Sequence, residues 1–487
     1  MDSDRTAYVT LVSETHKAQG IDLTRRVSLL QTRFLFDISA TTTSIPAYST
    51  SRYRLNIECS ADWSVTKCPA WLTPASTSGT GDSVLDFSIT PNTSKTSTLS
   101  GTITIKSLYN NVEKSISVTQ DAFSFNVDRT GISGLSPVGA SQCEINVTGT
   151  AEAPWSVTSS TEWVTIVSGA SGAGNGSVVL NVKDNPATAS RTGSVVLTNS
   201  ISGESKTVSI TQNAYEFRST ASYSYKYSEL ATSSNSFSLT CSGSWTVVVS
   251  DGSWLHISSL SGTGNSSISF YPDKNTTLYS RSATVTVFSD LQRGTTQELK
   301  TSFTVTQDAF KFDSSSESKS FDALNDDSKQ SLGVYVTCSG SWTLEDVPSW
   351  IKISPSSGSG NGSILIVPQT NSTTSERNAT FYVVSSDNTA LRKQITVTQK
   401  AYVFNVDSST ASVSSAQSTV SVKLSASSSW TASSGATWVT LDPASGSGDA
   451  TVTLTVGKNS GAARSTTVTF KSNHGPTATV TISQAKK

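Results

Sequence analysis

The chain has 487 residues, only 15% of them charged and 35% hydrophobic, with a formal net charge of −1. That length allows several domains, and the near-neutral balance excludes the basic footprint of a nucleic-acid binder. No apolar run is long enough to span a membrane, so no membrane insertion is expected.

Residues 1–33 read as a leader outside the repeating part of the chain. Tyr8, Val9, Leu11, Ile21, Leu23, Val27 and Leu29 form alternating apolar stretches that a partner could bury. Adding a short strand to another protein is a known mode of recognition. The other reading is that the leader pairs with the first domain as an extra strand. Nothing in this segment resembles a signal peptide. A native start at Met1 would then imply a route other than the secretory one.

From residue 34 onward one pattern occurs five times. The ten tryptophans fall into five pairs: Trp63/Trp71, Trp155/Trp163, Trp245/Trp254, Trp342/Trp350 and Trp430/Trp438. Each pair is followed by an SGxG[ND] loop, then by an Asn (Asn92, Asn185, Asn275, Asn371, Asn459). In four copies an Arg comes next: Arg191, Arg281, Arg377 and Arg464. Every copy closes on a strand-like segment ending in Gln (Gln120, Gln212, Gln307, Gln399, Gln484). The implied division is a leader over 1–33 and modules over 34–121, 122–213, 214–308, 309–400 and 401–487.

A period near ninety residues is the size of one small β-sandwich. Alternation assigns Val334, Val336, Cys338, Trp342 and Leu344 to the core of module four, and Phe237, Leu239, Cys241, Trp245 and Val247 to that of module three. The fold class is all-β: five tandem Ig-like sandwiches. At the joints, QDAFSF, QNAYEF, QDAFKF and QKAYVF leave no flexible linker. A semi-rigid rod is expected, with about 30–40 Å per module.

A phosphate-cradling loop needs a helix after its glycines. Here strand-like segments follow SGxG, so the glycines are expected to supply positive φ and the Asn or Asp to close a local turn. The five cysteines, Cys59, Cys68, Cys143, Cys241 and Cys338, sit mostly where another module has a small or apolar residue. Cys68 matches Val347, which suggests a core position, although a Cys59–Cys68 bridge stays open. No spacing suggests a metal, and no cofactor is expected.

The pattern C-S-x-x-W, x-W-[IVL]-x-[IL], SGxG[ND], Asn, Arg and [VI]-[TS]-Q resembles the BACON domain. It is carried best by CSGSWTLEDVPSWIKISPSSGSGNGS at 338–363 and TWVTLDPASGSGD at 437–449. Module two departs from it most, with Cys143 twelve residues before Trp155, and module five lacks the Cys. The resemblance implies an Ig-like sandwich of the kind found on surface and secreted proteins of Bacteroidetes and in virion proteins of crAss-like phages. Carbohydrate or mucin binding has been proposed for such domains.

The first Trp of each pair reads as core. The second (Trp71, Trp163, Trp254, Trp350 and Trp438) reads either as rim packing or as a sugar-stacking platform. Tyr223, Tyr225 and Tyr227 alternate in module three alone, either as an edge ladder or as a flat ligand surface. The recurring Arg is either a contact for glycan or phosphate or a strand opener on a solvated face. With three scattered histidines and no recurring carboxylate pair, no catalytic residue is expected. The expected role is therefore non-enzymatic: a virion surface protein whose leader docks on other virion proteins and whose modules meet glycans, mucin or a host surface. A homo-oligomer is compatible with this. The alternative is a bacterial cell-surface or extracellular glycan-binding protein.

Overall fold

The structure is a computed structural model and describes residues 3–21, 23–39, 42–139, 141–324 and 331–487. Its modular part repeats one unit five times, each a four-stranded sheet facing a five-stranded one. In module three the smaller sheet runs in the order Phe217–Ser219, Asn235–Cys241, Ser266–Pro272, Leu255–Ile257. The larger runs Ser224–Tyr227, Lys300–Gln307, Arg281–Ser289, Ser244–Val249, Ser261–Thr263. Pairing is antiparallel except at one edge, where Ser224–Tyr227 lies parallel to Lys300–Gln307. Alternating Val, Ile, Leu and Phe from both sheets fill each core, as sandwich packing requires.

The first Trp of every pair is buried: Trp63, Trp155, Trp245, Trp342 and Trp430. Its indole explains the SGxG[ND] loop. The SGx residues form a three-residue edge strand beside the Trp strand, with Gly262 opposite Trp245. A Cβ on Gly262 would sit 2.3 Å from Trp245 Cζ2, and on the equivalent glycines of the other modules 2.2–2.8 Å from their own indoles. The second glycine has positive φ, +73° at Gly264, and its carbonyl accepts the indole N–H at 3.0 Å. The following Asn or Asp does not close the local turn that the sequence suggests. It bonds instead to the neighbouring strand of the smaller sheet: Asn265 Oδ1 accepts the Cys241 N–H at 3.1 Å, and Asp82, Asn175, Asn361 and Asp449 do the same in their modules. The loop is a cap for a buried tryptophan.

All five cysteines are free, so the Cys59–Cys68 bridge is not formed. Cys68 is half-buried and its counterpart Val347 is exposed, which corrects the core reading of that position. The segment leading to the second Trp bends out at the rim, and alternation does not carry through it.

The joints are pinned. At the exit of module one, Asn92 Nδ2 donates to the Asp121 carbonyl at 2.8 Å, and the Phe123 N–H bonds the Ser94 carbonyl at 2.8 Å. Phe123 itself is buried in the core of module two. Tyr215, Phe310 and Tyr402 repeat this at the next three joints. Side chains also cross the boundaries. Ala47 lies in the core of module two, and Val138 and Leu230 pack against those of modules three and four. Glu152 accepts bonds from Thr50 N–H and Oγ1, Lys95 pairs with Glu204 at 2.7 Å, Gln292 Nε2 donates to the Pro186 carbonyl, and Asn388 Nδ2 to that of Thr276. Such joints resist bending.

Candidate functional site

The repeating polar residues turn inward. The guanidinium of Arg281 lies 4.6 Å from the Trp254 ring centre, donates Nε–H to Gln307 Oε1 at 2.9 Å and Nη2–H to the Asp273 carbonyl at 2.5 Å. Gln307 is buried and donates its amide N–H groups to the Glu229 and Asp273 carbonyls. Arg191, Arg377 and Arg464 cover Trp163, Trp350 and Trp438 at 4.4, 4.3 and 4.1 Å and reach Gln212, Gln399 and Gln484 in the same way. Burial lowers the pKa of Arg191, Arg281 and Arg377, although a guanidinium stays charged. The Arg therefore opens a strand, as one reading held, but its head is folded over the base of the module rather than solvated. Trp254 is buried and Trp71, Trp163, Trp350 and Trp438 are half-buried, the last three each with a face under an Arg. The rim-packing reading describes their setting.

Module one has no Arg at this position. Leu99 occupies its register position opposite Gln120. Gln120 Nε2 still donates to the Ala47 and Thr90 carbonyls, but buried Oε1 has no protein partner.

The tyrosine run does not make a flat surface. Tyr227 is buried, its hydroxyl accepting from Asn235 Nδ2 at 2.7 Å. Tyr225 points to the core and meets Phe270 and Phe303 edge-on. Only Tyr223, 96% exposed and just outside the strand, faces solvent.

The strongest exposed feature is the leader. Residues Arg5–Val12 (β1) and Thr24–Gln31 (β2) form an antiparallel hairpin with one short helical turn, Glu14–Lys17, between them. Among the described residues it joins no sheet of module one, so it is not an extra strand of that module: its two strands pair with each other. The apolar residues picked out from sequence are all exposed: Tyr8, Val9, Leu11, Ile21, Leu23, Val27 and Leu29. Register sorts them. Ala7/Leu29, Val9/Val27 and Leu11/Arg25 share one face, while Thr6/Leu30, Tyr8/Ser28 and Thr10/Arg26 share the other, where Arg26 stacks on Tyr8. A lone two-stranded hairpin is at best marginally stable in water.

A second apolar element lies next to it, which sequence reading missed. Phe34, just after the hairpin, stacks on Tyr109 at 5.2 Å. Leu108, Tyr109 and Val112 in the same turn are exposed, as is Leu35. In modules two, three and four the equivalent turn carries Glu204, Gln292 and Asn388, which bond to the preceding module. Among the described residues no module packs on this turn of module one, and its side chains are exposed. The signal was available in the repeats, since only module one places Leu-Tyr there.

Comparison with known proteins agrees with this architecture. Residues 61–121, 153–213, 340–400 and 428–485 match the BACON family, whose description reads "Putative binding domain, N-terminal", and residues 217–304 match the Viral BACON domain. The chain is a tandem BACON-domain protein. No curated protein matches it. Among solved structures, the human Desmocollin-1 ectodomain aligns at 10% identity over 91% of this chain and 97% of its own, with a TM-score of 0.28. Drosophila N-cadherin EC1-4 aligns at 11% over 69% and 93% (TM-score 0.22). A Bacteroides ovatus GH5 xyloglucanase aligns at 19% over 23% and 22% (TM-score 0.17). The BACON modules contain no group of three or more His, Cys, Asp or Glu able to hold a metal among the described residues.

Proposed function

We propose that this BACON protein is a non-enzymatic adhesion protein of a virus particle surface, held at its N-terminal end and presenting its sandwiches outward to a glycan, mucin or host surface. The observation that carries the reading is the asymmetry of the chain. The hairpin and the uncovered Leu108–Tyr109 turn put exposed apolar side chains at one end. Large exposed apolar patches mark interaction sites. In the repeats, by contrast, the residues that could have formed a catalytic or sugar-stacking constellation are spent on tryptophan caps and joint latches. The viral match of module three supports the particle over a cell envelope.

The test is co-sedimentation. Particles lacking this protein are mixed with the full chain or with a chain lacking residues 1–33. Recovery of the full chain alone with the particles is the expected result. Equal recovery of both forms, or partition with host envelopes instead, removes the reading. A glycan array probed with the full chain tests the outward-facing role.

A further inference from the structure

We propose that copies of this chain assemble through the N-terminal hairpin, their strands joining edge to edge into one closed sheet with Ala7, Val9, Leu11, Val27 and Leu29 inside. The hairpin has three unmet demands: one mainly apolar face and two edges that, among the described residues, face no neighbouring strand. Exposed edges are templates for pairing, and closure removes them.

Area decides against simpler arrangements. Eight residues per strand give a face about 27 Å long and, with two strands, about 10 Å wide. That is about 270 Å² in plan, far below the ~800 Å² per partner of a stable interface. Two hairpins laid face to face would also leave all four edges open. A ring of hairpins buries the face and the edges together.

The register fits an inside and an outside. The central pairs Val9/Val27 and Ala7/Leu29 carry no charge, and Arg5/Gln31 and Leu11/Arg25 close the face at its two ends. In a ring those arginines reach solvent at the rims. The opposite face is the more polar of the two: Thr6, Thr10, Thr24, Arg26 and Ser28 outnumber Tyr8, Val12 and Leu30, and Arg26 covers the Tyr8 ring, so it suits the exterior. Every strand has the same length, which matched edges require, and another copy supplies identical strands. Two strands per copy give six or eight in a closed sheet for three or four copies, the size at which side chains fill the interior. This goes beyond the attachment reading: what meets the particle is then the assembled base.

Sedimentation velocity on the full chain from micromolar to about 100 μM concentrations tests it. Expected is a mass three or four times that of one chain, falling to one for Val9→Arg and for the chain lacking residues 1–33, but unchanged for Thr10→Arg on the outer face. All ten tryptophans lie in the modules, so unaltered fluorescence shows that the sandwiches stay folded. A wild-type chain that remains monomeric or stops at a dimer overturns the proposal, as does a Val9→Arg chain that still assembles. A monomer that nonetheless binds particles through residues 1–33 overturns only the assembly and leaves the attachment reading standing.

Discussion

Replacing Arg281 by Ala isolates the latch under module three. The change strips the cation from Trp254 and leaves the buried Gln307 Oε1 without its Nε–H donor. An orphaned buried acceptor costs about 1–3 kcal/mol, and a cation–π contact is worth about 0.5–2 kcal/mol. Freeing the Arg side chain returns up to about 2 kcal/mol of entropy. With mid-range values the net expectation is a loss of about 2 kcal/mol confined to module three. Leu99→Ala in module one is the reference, because that module already lacks the guanidinium and its Gln120 Oε1 is already without a protein partner. It should lose only packing, about 1 kcal/mol. Hydrogen exchange read by mass spectrometry on the full chain gives the opening free energy of each module's core strands, with modules two and four as internal standards. Adding Gln307→Leu to Arg281→Ala should recover part of the loss, since the orphaned acceptor goes with it. A loss no larger than that of Leu99→Ala, or no coupling between Arg281 and Gln307, would refute the reasoning.

Trp245→Ala should destabilise module three by about 3–5 kcal/mol, and Gly262→Ala should also destabilise it because the added methyl meets the indole; chemical denaturation followed at the remaining tryptophans checks both. Hydrogen bonds from Thr50 hold the Glu152 carboxyl below its usual pKa, and at Glu204 burial pushes upward but Lys206 and Lys95 outweigh it. Depressed carboxyl values stabilise above the unfolded pKa of about 4.3 and lose that effect as pH falls, so the joint between modules one and two should loosen below about pH 4, seen as a changed small-angle scattering profile. Burial pushes the Tyr215 hydroxyl up to about 12. A raised value stabilises fully below the unfolded pKa of about 10 and is lost as pH rises towards 12, so module three should weaken across that window, and Tyr215→Phe should remove the slope in a pH series of thermal melts. Tyr225→Ser should lower module-three stability, whereas Tyr223→Ser should leave its melting unchanged and act, if at all, on glycan-array signal.

Much of the architecture is visible in the sequence because packing in a sandwich has period two. Val334, Val336, Cys338 and Trp342 announce their face, and a large indole that must be covered leaves its glycines at fixed distance. What is not visible depends on where the chain bends. Arg377 sits at the start of a strand in sequence, yet its head turns back to Gln399 and Trp350, a meeting set by tertiary geometry. Tyr223, Tyr225 and Tyr227 alternate as a stripe would, but the edge strand begins only at Ser224, and its inner face belongs to the core. The leader's alternating apolar residues were legible, while the pairing of its two strands with each other through a chain reversal after Val12 was not.

The parallel edge pairing has a mechanical consequence. In each sandwich the early strand, such as Ser224–Tyr227, runs alongside the closing strand, Lys300–Gln307, in the same direction, and in the first four the chain leaves directly into the next unit. A pull on the two ends of the protein loads those hydrogen bonds sideways, all at once, instead of peeling them one by one. A tether built this way yields late and abruptly under shear, one sandwich at a time.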